Sequence, residues 1–419
     1  MKYKLLFITT LLTLLTALHI AGKQPAKPQP AKPSISFEIE SERNITSPEM
    51  PGGIGHAATI VQTKKGTILA AWYSIYERTP ETDVWMSRYD PKKGAWSVPY
   101  KVFDGDEVGK DFTTENPVLF QPRNGPLMLF VKVGPAAHKK FGNIYRPIRR
   151  YNMPGYLKVS HDDGQTWSPP KLLGKSDKIE GGYLIGPTKN PPIELEDGTI
   201  LVPSSNEYGL MESQKWEEIT FHFEKSTDGG KTWQFVFKCP KAPDIAKHHI
   251  MQPGFLRLRD GRHIVLGRDN TPAHGRDPVP FAISSDNGRT WSTITQMTTL
   301  RHNKAVICPL TLRDGTHICI VNRYPGSSER DELDLMVSED GFHWSHGITI
   351  QGTDGVDAHY PQAVQTADGK IHVVYTYGDY GRPGKPGIIR HVVICVIPAA
   401  RKVGKILKLH FPVFFIQEL

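Results

Sequence analysis

Three side chains in the second half of this 419-residue chain are of types that work on an anion would need: Arg268, Arg330 and Tyr360. Arg268 ends the run Asp260-Gly261-Arg262-His263-Ile264-Val265-Leu266-Gly267-Arg268, eight residues after its aspartate. Arg330 opens Arg330-Asp331-Glu332-Leu333-Asp334-Leu335-Met336-Val337-Ser338, and Tyr360 precedes Asp368-Gly369 by eight residues. A guanidinium group is planar and donates two parallel hydrogen bonds, which suits a carboxylate. A phenol, with a pKa of about 10, is neutral at pH 7. It can therefore approach a centre already bearing a carboxylate, where a second carboxylate would be repelled. It needs a base or cationic neighbours to react. The plain alternatives are structural salt bridges for the arginines and a hydroxyl tied to backbone for Tyr360.

Other polar residues could complete such a site. Glu77, Glu81 and Asp83, in Tyr76-Glu77-Arg78-Thr79-Pro80-Glu81-Thr82-Asp83, offer a proton donor or form a solvated acidic loop. His56, in Gly55-His56-Ala57-Ala58-Thr59, is expected to titrate near neutrality. Gln252, eight residues before Asp260, can hydrogen-bond a phenol but cannot take its proton. His359, His249 or the arginines would have to compensate. Asn116 in Glu115-Asn116-Pro117, Lys189 and Asn190 in Gly186-Pro187-Thr188-Lys189-Asn190, Glu207 in Ser204-Ser205-Asn206-Glu207, and His222 between Phe221 and Phe223 are candidates for binding sugar hydroxyls. The prolines beside several of them read equally as turn punctuation.

A repeated phrase must position these groups. Ser226-Thr227-Asp228-Gly229-Gly230-Lys231-Thr232-Trp233 recurs as Ser160-His161-Asp162-Asp163-Gly164-Gln165-Thr166-Trp167 and as Ser284-Ser285-Asp286-Asn287-Gly288-Arg289-Thr290-Trp291. A shortened copy ends at Trp344 and a degraded one, from Ser87, at Trp96. Asp and Ser can hold a tight turn by bonding nearby backbone N–H groups, and Gly supplies a left-handed backbone. The Trp drops into an apolar layer while its N–H seeks an acceptor. Runs such as Gly66-Thr67-Ile68-Leu69-Ala70-Ala71-Trp72 and Gly369-Lys370-Ile371-His372-Val373-Val374-Tyr375 follow a glycine and read as half-buried strands. No helical period persists, so the expectation is a radially repeated all-β fold.

The Ser-x-Asp-x-Gly-x-Thr-Trp phrase resembles the Asp-box of sialidases and their BNR-repeat relatives, over about residues 50–397. The resemblance implies a six-bladed β-propeller whose boxes are structural turns remote from the site. In that family three arginines hold a carboxylate, a Tyr with a partner Glu is the nucleophile, and an Asp is the acid/base. Arg268, Arg330 and Tyr360 match by spacing. His56 stands in place of the first arginine and Gln252 in place of the Glu, while the acid/base has only Glu77, Glu81 and Asp83 in its loop. The chain is thus similar to the divergent, sialidase-like bacterial branch. The function implied is an exo-glycosidase on terminal acidic sugars, sialic acid or related, with retention through Tyr360. Two alternatives stay open: a lyase on uronate-containing glycans, with His56 or His222 taking the proton, and a carbohydrate-binding propeller without catalysis.

The net charge of +8 sits at the two ends. Residues 1–33 hold five Lys and no acid, and residues 401–419 hold four basic groups against Glu418, giving +5 and +3. The body is nearly neutral, which removes the main support for a nucleic-acid partner. Lys2 and Lys4 before an apolar run from Leu5 to about Ala21 have the layout of a secretory signal peptide, the run being short for a membrane span. The division expected is a signal peptide over 1–22, a Pro/Lys-rich linker over 23–34, a propeller over 35–397 and a basic, apolar tail over 398–419. A secreted or periplasmic monomer follows, its tail a docking strand rather than a membrane contact. The four Cys lack CxxC spacing and read as buried thiols or one disulfide. No phosphate loop, thiolate cluster or HExxH implies a cofactor or metal.

Overall fold

The computed structural model describes residues 35–74, 79–136, 138–141, 144–147, 153–206, 219–271, 278–323, 330–378 and 387–398. The expected signal peptide and linker, the tail beyond Pro398, Glu77 and Glu207 lie outside the described residues. Among the described residues no helix is long and apolar enough to cross a membrane.

Six small antiparallel sheets form a ring, a six-bladed β-propeller. From the axis outward, blade 1 runs Gly55–Gln62, Ile68–Ser74, Val84–Asp90, with an outer edge split into Ala95–Trp96 and Tyr100–Phe103. Blade 2 runs Phe112–Phe120, Leu127–Pro135, Gly155–Ser160 and Lys171–Leu172, and blade 3 runs Ile193–Glu194, Ile200–Ser205, Phe221–Ser226 and Gln234–Lys238. Blade 4 is Ile250–Arg257, His263–Asp269, Pro278–Ser284 and Thr295–Arg301; blade 5 is Cys308–Thr311, His317–Val321, Leu333–Ser338 and Ser345–Gln351. Blade 6 takes Ala358–Gln365, Ile371–Tyr377 and Ile388–Pro398 from the end of the described chain and its outer strand, Ile35–Asn44, from the beginning. That last pairing, from Ile35 with Pro398 to Asn44 with Arg390, closes the ring by backbone hydrogen bonds.

The core follows the same count. Six apolar clusters are found, each drawing its residues from two neighbouring blades; Leu69 and Met86 of blade 1, for example, meet Leu119 and Leu129 of blade 2. Because each sheet is covered on both faces, the inner strands are not half-buried as their sequences suggest. Every residue of Ile68–Ser74 is buried, including Trp72 and Tyr73, and so is nearly all of Ile371–Tyr377. Small residues such as Ala70 and Ala71 occupy positions where the neighbouring sheet comes close, so their smallness serves packing.

Gly186–Asn190 does not open a strand: Pro187, Pro191 and Pro192 remove N–H donors, and blade 3 keeps only Ile193–Glu194 as its inner strand. All four cysteines are free thiols, with Cys239, Cys308 and Cys319 buried. The Asp-boxes fold as their letters require. In one, Asp228 Oδ1 accepts from the N–H groups of Lys231 and Thr232 at 3.0 and 2.9 Å, and Oδ2 accepts from the Thr232 hydroxyl at 2.6 Å. Trp233 Nε1 then donates to Gly230 O at 3.1 Å.

Candidate active site

The groups that matter are aimed by a defect repeated in four inner strands. Ala57, Asn116, Gln252 and Tyr360 have φ of 53°, 45°, 53° and 55°, the left-handed region that non-glycine residues avoid. At each, the inner strand carries one extra residue against its neighbour, between His56 and Thr59, Glu115 and Val118, Met251 and Gly254, and His359 and Gln362. These are β-bulges, which turn a side chain away from the ladder. Pro117, Pro253 and Pro361 follow directly, where a paired strand would tolerate no proline. A left-handed non-glycine residue costs roughly 1–2 kcal/mol. For a tyrosine to hold that backbone, its placement must be fixed by the surroundings.

Around Tyr360 four blades converge. The His56 ring lies 4.3 Å from the Tyr360 ring, and the His359 ring 5.5 Å away. Arg268 Cζ stands over the phenol at 5.5 Å. Arg268 Nη1 donates to the carbonyl of Lys304 at 2.9 Å, and Arg330 Nη2 donates to the same oxygen at 3.3 Å. Arg330 Nη1 also donates to His359 Nδ1 at 3.4 Å. Among the described residues neither guanidinium forms an ion pair with a carboxylate. Arg268 Nε is buried with no hydrogen-bond partner, and so is Gln252 Oε1. Two cations thus share one carbonyl oxygen and leave donor capacity unspent.

The electrostatics correct one expectation. His56 does not titrate near neutrality. Burial, then the charges of its His359, Arg330, Lys189 and Arg268 neighbours, hold its pKa well below the usual value. His359 is held well below as well, by burial and then by Arg330 and Arg268. Both imidazoles are neutral at pH 7, so the two arginines supply the positive charge beside Tyr360. His56 Nδ1 is 3.0 Å from the Thr376 hydroxyl, which also accepts from the Ala57 N–H at 3.2 Å.

The remaining predicted residues divide. Asn116 is buried at its own bulge, next to the Glu115–Lys132 ion pair at 3.7 Å. Gln252 donates its N–H to Ser205 Oγ at 3.0 Å and makes no hydrogen bond to Tyr360. Asp83 is tied to Lys101 at 2.6 Å on the outer edge of blade 1, burial pushing its pKa up against that cation, and Glu81 is exposed. Lys189 is fully buried and donates to Ala58 O at 2.8 Å, while burial pulls its pKa down to about 8. Asn190 Nδ2 reaches the carbonyls of Gln252 and Ile307 at 3.3 and 3.1 Å. A Cβ on Gly254 would come within 2.9 Å of Asn190 Cγ, so a glycine is needed for this approach. Lys189 and Asn190 therefore staple blades together at the axis, buried against carbonyls rather than set out to meet a sugar. His222 is likewise occupied: its Nε2 is 3.1 Å from Glu224 Oε1, and Glu224 also accepts the N–H groups of Ile185 and Gly186 at 2.8 and 2.9 Å. His249 belongs with Asp269 and Thr271 rather than with the phenol.

Sequence reasoning missed Thr376, Tyr73 and the Lys304 carbonyl. A signal for the first two exists. Tyr73, Lys132, Arg268 and Thr376 each lie sixteen residues after a bulge residue, and each pairs with the residue just before it across the strands. A carbonyl carries no such signal, because any residue at 304 supplies one.

Comparison with known proteins agrees with this geometry at the level of fold. Residues 66–373 match the BNR repeat-like domain. A sialidase of Bacteroides fragilis (strain YCH46) is 23% identical over 278 residues, 61% of this chain and 48% of that protein; the chain thus spans about half the relative's length. A protein of unknown function from Dyadobacter fermentans superposes with a TM-score of 0.65 at 16% identity, over 86% of this chain and 99% of that one. The K499G mutant of the NanB sialidase from Streptococcus pneumoniae gives 0.63 at 12% identity, over 90% and 72%. A leech intramolecular trans-sialidase gives 0.63 at 13%, over 84% and 70%. At such identities a structural likeness speaks for fold alone. With the repeat-domain match covering most of its length, the chain belongs to the BNR repeat-like family.

Proposed function

We propose that the protein is a secreted or periplasmic glycoside hydrolase of the sialidase type, a monomer that removes terminal acidic sugars from glycans. The observation that carries this reading is the pair Arg268 and Arg330, converging on the Lys304 carbonyl beside Tyr360 with no carboxylate partner among the described residues. A buried pair of like charges favours any ligand that neutralises it, and a sugar carboxylate does so with directed hydrogen bonds.

In the first step the Tyr360 oxygen attacks the anomeric carbon and the glycosidic oxygen leaves with a proton. The resulting glycosyl–tyrosine bond is then cleaved by water, with net retention. Because Asp83 is committed to Lys101, Glu77 and Glu81 are the acids proposed for the leaving group. Gln252 cannot accept the phenol proton, and His56, in ring contact at 4.3 Å, is the proposed acceptor. Burial, the larger cause of the depressed imidazole, persists in the complex, while a carboxylate bound between Arg268 and Arg330 offsets the smaller part that their charges contribute and so makes His56 a better base there.

The neutral His56 also favours a second reading, a lyase in which the imidazole removes the proton α to a uronate carboxylate. One incubation with sialosides, Kdo-type sugars and uronate polysaccharides, read by mass spectrometry, separates the two. Small products that have gained one water support the hydrolase. Products of unsaturated mass replace it with the lyase, and binding without any product replaces both with a carbohydrate-binding propeller.

A further inference from the structure

At the opposite end of the inner strands, roughly 15–20 Å from Tyr360 along Ala358–Gln365, blades 6 and 1 leave a groove of about 430 Å³. Its lining includes Glu40, Arg43, Tyr89, Asp368, Lys370 and His372. The volume falls within the range of small-molecule sites.

The two carboxylates in this lining are each engaged through one oxygen. Glu40 is paired with Lys370 at 2.7 Å. Asp368 accepts from the Thr366 hydroxyl at 2.6 Å and from the Lys370 N–H at 3.2 Å. Arg43 forms no ion pair among the described residues, and its buried Nε has no hydrogen-bond partner. Its guanidinium lies 5.8 Å from the Tyr89 ring centre, so that ring and cation share one wall.

A second donor is set by a relay. Trp96 Nε1 can only donate, and it donates to His391 Nδ1 at 3.1 Å. His391, kept neutral because burial holds its pKa well below the usual value, must then carry its proton on Nε2. That proton is donated to His372 Nδ1 at 3.0 Å. His372, pulled down to about 4 mainly by burial, is also neutral at pH 7, which leaves its own proton on Nε2. No protein acceptor is bonded to that Nε2 among the described residues.

We infer that this groove is a second binding site, for the carboxylate of a monosaccharide-sized sugar acid. Arg43 and the His372 Nε2–H meet the carboxylate, and Tyr89 offers an aromatic face to the ring. The site is independent of the chemistry at Tyr360. It would hold an acidic glycan on the face away from the mouth, without cleaving it.

The test uses the full chain, labelled with nitrogen-15, and follows the Trp96 indole resonance during titration with D-glucuronate and, as a neutral control, D-glucose. Wild type and Arg330→Ala are expected to show the same saturable shift with glucuronate and none with glucose. Arg43→Met, which keeps the side-chain stem, is expected to bind at least tenfold more weakly. Arg43→Lys, which keeps the charge but not the planar fork, should fall between, and Tyr89→Leu should also weaken binding. The absence of a shift in wild type overturns the inference, as does an equal shift in Arg43→Met or with glucose. A shift lost in Arg330→Ala assigns the binding to the mouth instead, and so overturns it while leaving the proposed function standing.

Discussion

The Asp-boxes and the bulges lie at opposite ends of the blades, both present in blades 2 and 4, and they are built to opposite rules. In a box, the carboxylate is saturated: Asp228 accepts two backbone N–H groups and two hydroxyls, and Asp162 has the same partners. Those hydrogen bonds hold both carboxyls well below the usual carboxylate range, and Asp340 is brought to about 2 although burial opposes it. The left-handed positions within the full boxes are mostly glycine, such as Gly164, Gly230 and Gly288. At the bulges the left-handed positions are Ala57, Asn116, Gln252 and Tyr360, and buried polar atoms such as Arg268 Nε and Gln252 Oε1 have no partner. Satisfied turns anchor the fold, and the unsatisfied, costly geometry collects where a ligand would supply what is missing.

The sharpest way to break this comparison is at Tyr360. Tyr360→Phe keeps the ring, its contacts with His56 and Arg268, and the bulge, but removes the hydroxyl. The expected result is a loss of at least about 10³-fold in kcat/KM with an unchanged unfolding midpoint. Loss of stability with retained turnover would make Tyr360 a packing residue. Arg330→Ala should cost about 10–100-fold in kcat/KM, since charged hydrogen bonds contribute roughly 1.5–3 kcal/mol. A rise in KM is expected to dominate if the arginine holds the substrate carboxylate in ground and transition states alike.

Acid separates the two ends next. His302, near Arg268 and Arg330, is buried with its pKa pulled down to about 4, mainly by burial. The unfolded chain takes up that proton near pH 6.5, so between about 6.5 and 4 the unfolded state binds more protons and folding weakens as pH falls. From pH 7 to 5 this residue alone should cost about 2 kcal/mol, and His56 and His359 act in the same direction. The boxes do not contribute in that window. Their lowered carboxyls add stability that is complete above the unfolded value near 4 and is lost only below it. Urea unfolding at pH 7 and 5 checks this, with His302→Gln expected to flatten the slope. A loss that begins only below pH 4 would assign acid sensitivity to the boxes instead.

Within the boxes, Asp228→Ala removes an acceptor for two backbone N–H groups, but on a solvated turn where water replaces it in part. The expected cost is about 1 kcal/mol, by analogy with a lost cap, with kcat/KM unchanged. An effect on turnover would mean that the turns are not remote from the mouth.

This asymmetry also decides what could be read from the sequence. The boxes are local: five tryptophans and their aspartates announce the repeat, and with it the ring of blades. Arg268, Arg330 and Tyr360, which the structure brings together, could be singled out only because the family resemblance gives their spacing to a turn or box a meaning. What was not legible depends on closure. That Lys189 and Asn190 are spent on carbonyls of other blades, with Ala58 O 131 residues away from Lys189, has no local signature. The neutrality of His56 is of the same kind, because it arises from burial and from cations supplied by three other blades. Pro117 reads in the sequence as turn punctuation as readily as anything else, whereas in the structure it follows a bulge residue directly, as Pro253 and Pro361 do.

The smallest expected effect tests the premise of strain itself. Ala57 is fully buried at φ 53°, beside His56. Replacing it with glycine loses a buried methyl worth about 0.8 kcal/mol and adds roughly 0.5–1 kcal/mol of unfolded-chain entropy. It also removes the left-handed penalty of roughly 1–2 kcal/mol. These nearly cancel, so Ala57→Gly should change stability by no more than about 0.5 kcal/mol. Ala70, equally buried in the second strand of the same blade and outside the left-handed region, offers no such relief. Ala70→Gly should therefore cost about 1–2 kcal/mol. Equal losses at the two positions, measured by urea unfolding at pH 7, would mean that the bulge backbone is relaxed. The contrast between the two ends of the blades would then rest on the unpartnered polar atoms alone.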